Sequence, residues 1–200
     1  LCLFAIGSNT GLKRICITNV DINYSDLRYV KKRHINATNI RNAIRMVVNK
    51  ILQIRDPDLW GRSTTTIACD STHLFAWDQN LMSEWHFRYR KKGVMIYWHV
   101  DQKSLCIYSQ LKDCTSSEVG SMIKGIIDHD TEMDVNRVFV DTHGQSVMGF
   151  AISYLLQFSL CPRLKAINKQ KLYYADSEDK KKYKNIEYIL RGSINWQLIE

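Results

Sequence analysis

TTTIACD, at residues 64–70, is a run of small and β-branched residues that ends in an acidic one, Asp70. This composition is typical of a strand. A second short apolar run, RVFVD at residues 137–141, has the same form and ends in Asp141. Each run predicts a strand with an aspartate at its carboxyl end. Two such aspartates converge on one point if the strands are neighbours in the same sheet.

The chain between these two runs predicts a hairpin and then a helix. GVMIYWHVD (93–101) and KSLCIYSQL (103–111) are rich in β-forming residues and meet at Asp101–Gln102, which indicates a turn. TSSEVGSMIKGIIDH (115–129) has apolar residues at helical spacing, and one of its first three residues would cap the helix.

Two further segments complete the predicted order of elements. GQSVMGFAISYLLQF (144–158) predicts a helix, and LCPRLK (160–165) predicts a strand or an extended run. Three strands, a helix, a strand and a helix is the order of a ribonuclease H-like sheet, in which the first and fourth strands lie side by side. We therefore predict an α/β fold: a ribonuclease H-like mixed sheet with flanking helices, preceded by a small helical segment.

Residues 1–62 predict this basic, helical lead-in segment, and the α/β domain follows at residues 63–200. From Asn39 onwards apolar residues recur at i, i+3, i+4 and i+7, which predicts an amphipathic helix capped by Thr38 or Asn39. Asp56–Pro57 ends it, because the residue before proline avoids the α region. The apolar stripe comprises Ile40, Ala43, Ile44, Val47, Val48, Ile51 and Ile54.

Positive charge is concentrated in the two flanks of the chain. Residues 1–62 hold 11 lysines and arginines against 4 acids and residues 163–192 hold 9 against 4, whereas residues 63–162 hold 8 against 11. Basic flanks could bind a polyanion such as DNA while a carboxylate site in the acidic central segment acts on one of its phosphates. A basic surface that is merely solvated would have the same charges. The candidate contacts to a DNA backbone are Arg41, Arg45, Lys50, Lys180, Lys181, Lys182 and Lys184.

Composition and motifs exclude several classes of protein. With 45% hydrophobic residues, 24% charged residues and 2 prolines, the chain is globular rather than disordered or collagen-like. No apolar run approaches the ~18 residues of a membrane span, so we expect no membrane partner. The 6 cysteines are widely spaced and include no C-x-x-C, which excludes a zinc framework. In a 200-residue chain with an ample core we expect them to be reduced, mostly buried thiols, which implies a cytoplasmic location. The chain opens with Leu1, so we expect it to be cut from something longer.

Four long strings, together with Asp70 in IACDSTH, resemble the catalytic region of the Tn-three family of replicative transposases. The strings are AWDQNLMSEWHFRY (76–89), GVMIYWHVDQKSLCIYSQLK (93–112), VDTHGQS (140–146) and CPRLKAINKQKLY (161–173). The lead-in segment also looks like that family's approach to its catalytic domain, so the resemblance covers nearly the whole chain. It implies a fragment of a DDE transposase, which is a polynucleotidyl transferase with a ribonuclease H-like fold.

The resemblance also implies a site and its chemistry. Asp70 matches the family's first catalytic aspartate, and Asp141, in VDTHGQS, matches the second. Both would hold Mg²⁺, with two ions in the intact enzyme and Mn²⁺ as a substitute. The intact enzyme would cleave one strand at each terminal inverted repeat and join the freed 3′-OH to target DNA, in replicative, cointegrate-forming transposition. It would act in the bacterial cytoplasm as a homo-oligomer on transposon ends and target DNA.

The family's third catalytic carboxylate is a glutamate far downstream of the second aspartate, and we expect it beyond residue 200. We therefore expect the 200-residue chain alone to be inactive. The closer acids Asp176, Glu178 and Glu187 show no helical apolar period around them and predict a solvated loop. His143 would contact phosphate, position a ligand, or cap the next helix. The alternative function is a non-catalytic DNA-binding or scaffolding module, in which both aspartates are structural.

Overall fold

The computed structural model describes residues 1–18, 21–60, 65–169 and 172–198. Within these residues a mixed six-stranded sheet forms the centre of the molecule. Its strands are β1 (Thr66–Phe75), β2 (Glu84–His86), β3 (Lys91–Asp101), β4 (Cys106–Lys112), β5 (Arg137–Val140) and β6 (Ser159–Pro162).

The strand order across this sheet is β4-β3-β1-β5-β6, with the short β2 paired to the beginning of β3. Strand β3 is antiparallel to both of its long neighbours, β1 and β4, whereas β5 runs parallel to β1 and β6 runs parallel to β5. A meander of three antiparallel strands followed by two parallel ones is the ribonuclease H-like arrangement. The predicted hairpin and the predicted β1–β5 adjacency are therefore confirmed, as is the extended run at Ser159–Pro162.

The prediction that Asp70 ends its strand is wrong. Strand β1 continues to Phe75, because the residues after Asp70 stay paired with β3 from Ser71↔Tyr97 to Phe75↔Gly93. What ends near Asp70 is the ladder between β1 and β5, whose last pair is Cys69↔Val140. The two neighbours of β1 differ in length, so the ladder on one side ends earlier than the ladder on the other side. The local composition of β1 does not reveal which ladder ends first.

The main core lies between the sheet and helix α6 (Glu118–Asp128), which begins after the cap residue Ser117. The alternate residues Ile67, Cys69 and Tyr97 point into it from the central strands, as the period of two predicts. The helix meets the sheet at Gly125, where a Cβ atom would overlap the buried ring of His99. Helix α7 (Val147–Leu155) packs beside β6 and is capped by Ser146.

The lead-in segment is helical, as predicted. It contains α1 (Cys2–Gly7), α2 (Leu12–Thr18), α3 (Tyr24–His34), α4 (Ala37–Ile54) and α5 (Pro57–Trp60). The predicted caps of α4 are wrong: Asn36 caps the helix, and its side chain accepts a hydrogen bond from the Asn39 N–H at 2.9 Å. The predicted boundary between residues 62 and 63 falls outside the described residues.

Helix α4 contacts the main core by only part of its apolar stripe. Of the stripe residues, Val48 is buried in the core, whereas Ile44, Val47 and Ile54 remain exposed. Leu52, which the predicted stripe did not include, also packs against the core. A second attachment is electrostatic: the guanidinium of Arg55 donates a 2.7 Å hydrogen bond to the carboxylate of Asp101, at the end of β3.

The C-terminal part contains a small parallel pair, β7 (Leu172–Tyr174) and β8 (Leu190–Ser193), joined through 3₁₀ turns at Ser177–Lys181 and Lys184–Ile189. Further 3₁₀ turns lie at Thr142–Gly144, Ile167–Lys169 and Trp196–Leu198. All six cysteine side chains are free thiols, as predicted, but the prediction that most are buried is wrong, because only Cys2 and Cys69 are buried. Among the described helices, none is both long and apolar enough to cross a membrane.

Candidate active site

Asp70 and Asp141 occupy matching positions at the end of the ladder between the two central parallel strands. The last pair of the β1–β5 ladder is Cys69↔Val140, so Asp70 is the next residue of β1 and Asp141 is the residue directly after β5. Neighbouring strands lie about 4.8 Å apart, which brings the two backbones together at this point. Both aspartates line one cleft of about 760 Å³. The structure thus brings together the two acids that the sequence paired.

Backbone amides orient both carboxylates. The N–H of Ser71 donates to Asp70 Oδ1 at 2.7 Å, and the N–H of His143 donates to Asp141 Oδ1 at 2.8 Å. A fixed donor on one oxygen limits the rotation of the carboxylate and leaves its other oxygen to meet a ligand. The His143 ring also lies near, with Nε2 4.0 Å from Asp141 Oδ2. His143 lines the cleft and does not cap α7, because Ser146 does.

A third carboxylate, which the sequence analysis did not single out, lines the same cleft. Glu118 begins α6, and its Oε1 accepts a 2.7 Å hydrogen bond from the Ser71 hydroxyl. This bond links the start of the helix to the residue directly after Asp70. An acid in the first turn is ordinary for a helix, so nothing in the local sequence marked Glu118 as part of a site.

Tyr97 is a buried residue whose titration depends on these acids. Burial raises the pKa of Tyr97, and the nearby Glu118, Asp141 and Asp70 raise it further. Burial likewise raises the pKa of the Cys69 thiol, with Asp70 adding to the effect. Both groups therefore stay protonated, and the negative charge of the cleft resides on the carboxylates.

Basic side chains share the cleft with the carboxylates. Its lining includes Arg88 and Lys112, together with the imidazole rings of His86 and His143. Carboxylates beside an arginine and a lysine form a surface that suits a phosphodiester held over bound metal ions. The acids Asp176, Glu178 and Glu187 do not line this cleft. Asp176 precedes the 3₁₀ turn Ser177–Lys181 on an exposed edge, as the predicted solvated loop requires.

The predicted DNA-contacting residues lie outside the cleft, and several have partners within the chain. Arg41 lies over the Tyr108 ring at 5.8 Å, and Arg45 pairs with Asp130 at 3.6 Å. Lys182 pairs with Asp179 at 2.8 Å. The side chains of Lys50, Lys181 and Lys184 are exposed, and the side chain of Lys180 lies outside the described residues. The number of basic residues in a segment does not show which of their side chains have partners within the chain and which are simply exposed.

The cleft supplies some, but not all, of the oxygen ligands that a hard divalent cation needs. Carboxylate oxygens are the ligands that Mg²⁺ prefers, and Asp70 and Asp141 supply them from adjacent strands. Over the described ranges, however, no three histidine, cysteine or acidic side chains are grouped closely enough to hold a metal ion together. Asp70 and Asp141 are the residues that would hold such an ion, with further oxygen ligands needed from elsewhere.

The family model for the Tn3 transposase DDE domain matches residues 1–200. The transposase of transposon Tn1546 from Enterococcus faecium is 25% identical over 199 residues, which are 99% of this chain and 20% of that protein. The transposase of transposon Tn501 from Pseudomonas aeruginosa is 21% identical over 190 residues, 94% of this chain and 19% of that protein. The chain thus spans about a fifth of the length of the curated relatives it matches.

Solved structures give weaker likenesses. The catalytic domain of Mos1 mariner transposase is 10% identical, with a TM-score of 0.36 over 82% of this chain and 79% of that one. The piggyBac transposase in a synaptic complex with hairpin DNA is 9% identical, with a TM-score of 0.40 over 80% of this chain and 38% of that one. At these scores the strand order of the sheet, rather than superposition, is the evidence for the ribonuclease H-like fold.

Proposed function

This chain belongs to the Tn3 transposase DDE domain family, and from that premise we propose that it supplies two catalytic carboxylates, Asp70 and Asp141, to a DNA transposase. The observation that carries the proposal is the register of β1 and β5, which puts both aspartates directly after the same residue pair and on one cleft. Families that use DDE chemistry depend on divalent metal ions, and we propose Mg²⁺, with Mn²⁺ as a substitute.

In the proposed reaction, water attacks a phosphodiester at each terminal inverted repeat, the bond to the 3′ oxygen breaks, and a 3′-OH is released. That hydroxyl then attacks a target phosphodiester in line, so one P–O bond forms as another breaks. Two bound ions would supply activation of the attacking oxygen and stabilisation of the leaving one. The chain's own part is to hold the carboxylates in place, through the N–H groups of Ser71 and His143.

The replicative, cointegrate-forming outcome, the terminal repeats and target DNA as partners, and a homo-oligomeric full-length enzyme belong to this proposal. So does a location in the bacterial cytoplasm, where DNA is accessible and thiols stay reduced. We propose that the family's third catalytic carboxylate lies beyond residue 200. Glu118 lines the cleft but precedes Asp141 in the chain, and the downstream acids Asp176, Glu178 and Glu187 are not among the residues of the cleft.

Phosphate contacts would come from basic side chains outside the cleft. The best candidates for contacting phosphates are the exposed side chains of Lys50, Lys181 and Lys184. Arg41, Arg45 and Lys182 would first have to leave the Tyr108 ring, Asp130 and Asp179. Lys180 belongs to the same proposed set. DNA affinity should fall steeply as salt rises, since each phosphate contact releases counterions.

The test is strand cleavage by the full-length transposase that contains these residues. Asp70→Asn and Asp141→Asn should each abolish cleavage of a labelled terminal repeat in Mg²⁺, while gel shifts still show the DNA complex. Asp176→Asn is the matched control, because this exposed aspartate lies outside the cleft, and it should cleave as the wild type does. Wild-type cleavage by Asp70→Asn would refute the catalytic role and leave the non-catalytic DNA-binding module as the better reading.

A further inference from the structure

An unusual concentration of exposed aromatic side chains lies beside the carboxylate cleft. We call it the aromatic wall, and it consists of Phe75, Trp77, Trp85, Phe87 and Tyr89. Trp77 is 85% exposed and Phe87 is 91% exposed. Aromatic side chains are large apolar groups that folding normally buries, so several of them exposed within 15 residues of sequence mark a binding surface.

The aromatic wall is continuous with the cleft. The residues from Trp85 to Tyr89 form one side of the cleft that contains Asp70 and Asp141. Trp85 also lines a second groove, of about 500 Å³, on its other side. The remaining residues of that second groove include Phe75, Trp77, Arg90, Lys91 and Lys92. A ligand that lies in the cleft therefore reaches the second groove by passing Trp85.

Internal contacts hold part of the wall in a fixed shape. The Tyr89 ring stacks on His73, with centroids 5.2 Å apart, and packs against His86 at 4.5 Å. His73 in turn lies on Gly93, where a Cβ atom would come within 2.5 Å of its ring. Burial lowers the pKa of His73, and His86 lowers it further, so this support stays uncharged at neutral pH.

The charge around the wall is positive. Arg88 lies over the Tyr89 ring at 5.8 Å, and Lys91 lies over the Phe75 ring at 4.9 Å. Together with Arg90 and Lys92, these cations outnumber the nearby acids Asp78 and Glu84. Exposed rings interleaved with cations form the surface that binds single-stranded nucleic acid, because bases stack on the rings while phosphates meet the cations. Paired bases inside a duplex cannot offer their faces in this way.

We propose that the aromatic wall binds unpaired bases of the DNA strand whose phosphate lies over Asp70 and Asp141, with Trp85 as the central stacking surface. This inference rests on the proposed function and adds to it the form of the substrate, a locally single-stranded DNA end. The phosphates next to the stacked bases would meet Arg90, Lys91 and Lys92 in the second groove.

The test measures DNA binding without chemistry. Fluorescence anisotropy of a labelled oligo-dT strand and of a duplex of equal length is recorded in EDTA, so the result does not depend on metal or on cleavage. Trp85→Ala should weaken single-strand binding by about fivefold to 150-fold, the effect of losing one stacked base, and leave duplex binding unchanged. Trp60→Ala is the matched control: Trp60 and Trp85 are both 55% exposed, and Trp60 lies on α5.

A second measurement separates stacking from a merely structural role. Replacing the bases by abasic sites should weaken wild-type binding at least as much as Trp85→Ala does, and should weaken that variant by a smaller factor than the wild type. Trp85→Phe, which keeps a ring, should restore most of the affinity. Equal losses for single strand and duplex, an equal loss with Trp60→Ala, or no single-strand binding by the wild type would overturn the proposal. The last result would indicate a protein partner for the wall.

Discussion

The ion pair between Arg55 and Asp101 should be among the strongest single attachments of the helical lead-in to the sheet. Its N–O distance is 2.7 Å, and the two side chains are only 8% and 1% exposed. Replacing Arg55 by Met removes the cation and leaves the buried carboxylate with the Lys103 N–H, 3.3 Å away, among its remaining contacts. Leaving one charge of a buried pair uncompensated costs about 3–5 kcal/mol.

The pair of Arg45, within α4, and Asp130 offers the comparison with Arg55, which follows the last residue of that helix. Its N–O distance is 3.6 Å and its side chains are 40% and 69% exposed, so Arg45→Met should cost at most about 1 kcal/mol. For a chain of this size each kcal/mol lowers Tm by about 2–4 °C. We therefore expect Arg55→Met to lower Tm by roughly 6–20 °C and Arg45→Met by no more than about 4 °C.

Urea unfolding followed by circular dichroism would measure the loss in free energy of unfolding for each variant, and thermal unfolding would measure the two Tm shifts. The double variant Arg55→Met/Asp101→Asn should be more stable than Arg55→Met alone, because it removes the charge that the single variant strands. If Arg55→Met and Arg45→Met destabilised the protein equally, or if the double variant lost the sum of the two single effects, burial would not govern the strength of this pair.

Three further predictions concern the core and the chain's activity. Burial lowers the pKa of His99 from 6.5 to about 4, so the unfolded chain takes up its proton first and the free energy of unfolding should fall by about 3 kcal/mol between pH 6.5 and pH 4. His99→Gln should remove that part of the slope in urea titrations at each pH. Gly125→Ala should cost about 1–3 kcal/mol because its Cβ overlaps the His99 ring, whereas Gly120→Ala on the same helix, with nothing within 4 Å, should not destabilise. The 200-residue chain should not nick supercoiled plasmid in Mg²⁺ or Mn²⁺, and nicking that Asp70→Ala abolished would show that no further carboxylate is required.

Local sequence patterns predicted most of the secondary structure and, within the cleft, the pairing of Asp70 with Asp141. Periods of two and 3.6 located the strands and helices, since side chains on a sheet or helix meet the core at those intervals. The order of elements then predicted that β1 and β5 are neighbours, and so that Asp70 and Asp141 meet. Widely spaced cysteines predicted the free thiols that the structure contains.

Those local patterns could not predict which residues far apart in sequence come into contact. Glu118 reaches the cleft only because α6 packs across the sheet and bonds Ser71. Strand β1 extends past Asp70 because β3 is longer than β5, which no composition of β1 reveals. Arg45 and Arg55 look alike as basic residues of one segment, yet Arg45 is half-exposed on α4 beside Asp130, whereas Arg55 follows the helix end and is buried on Asp101. Charge and periodicity are properties of a segment, whereas burial and partnership depend on what the folded chain places opposite each residue.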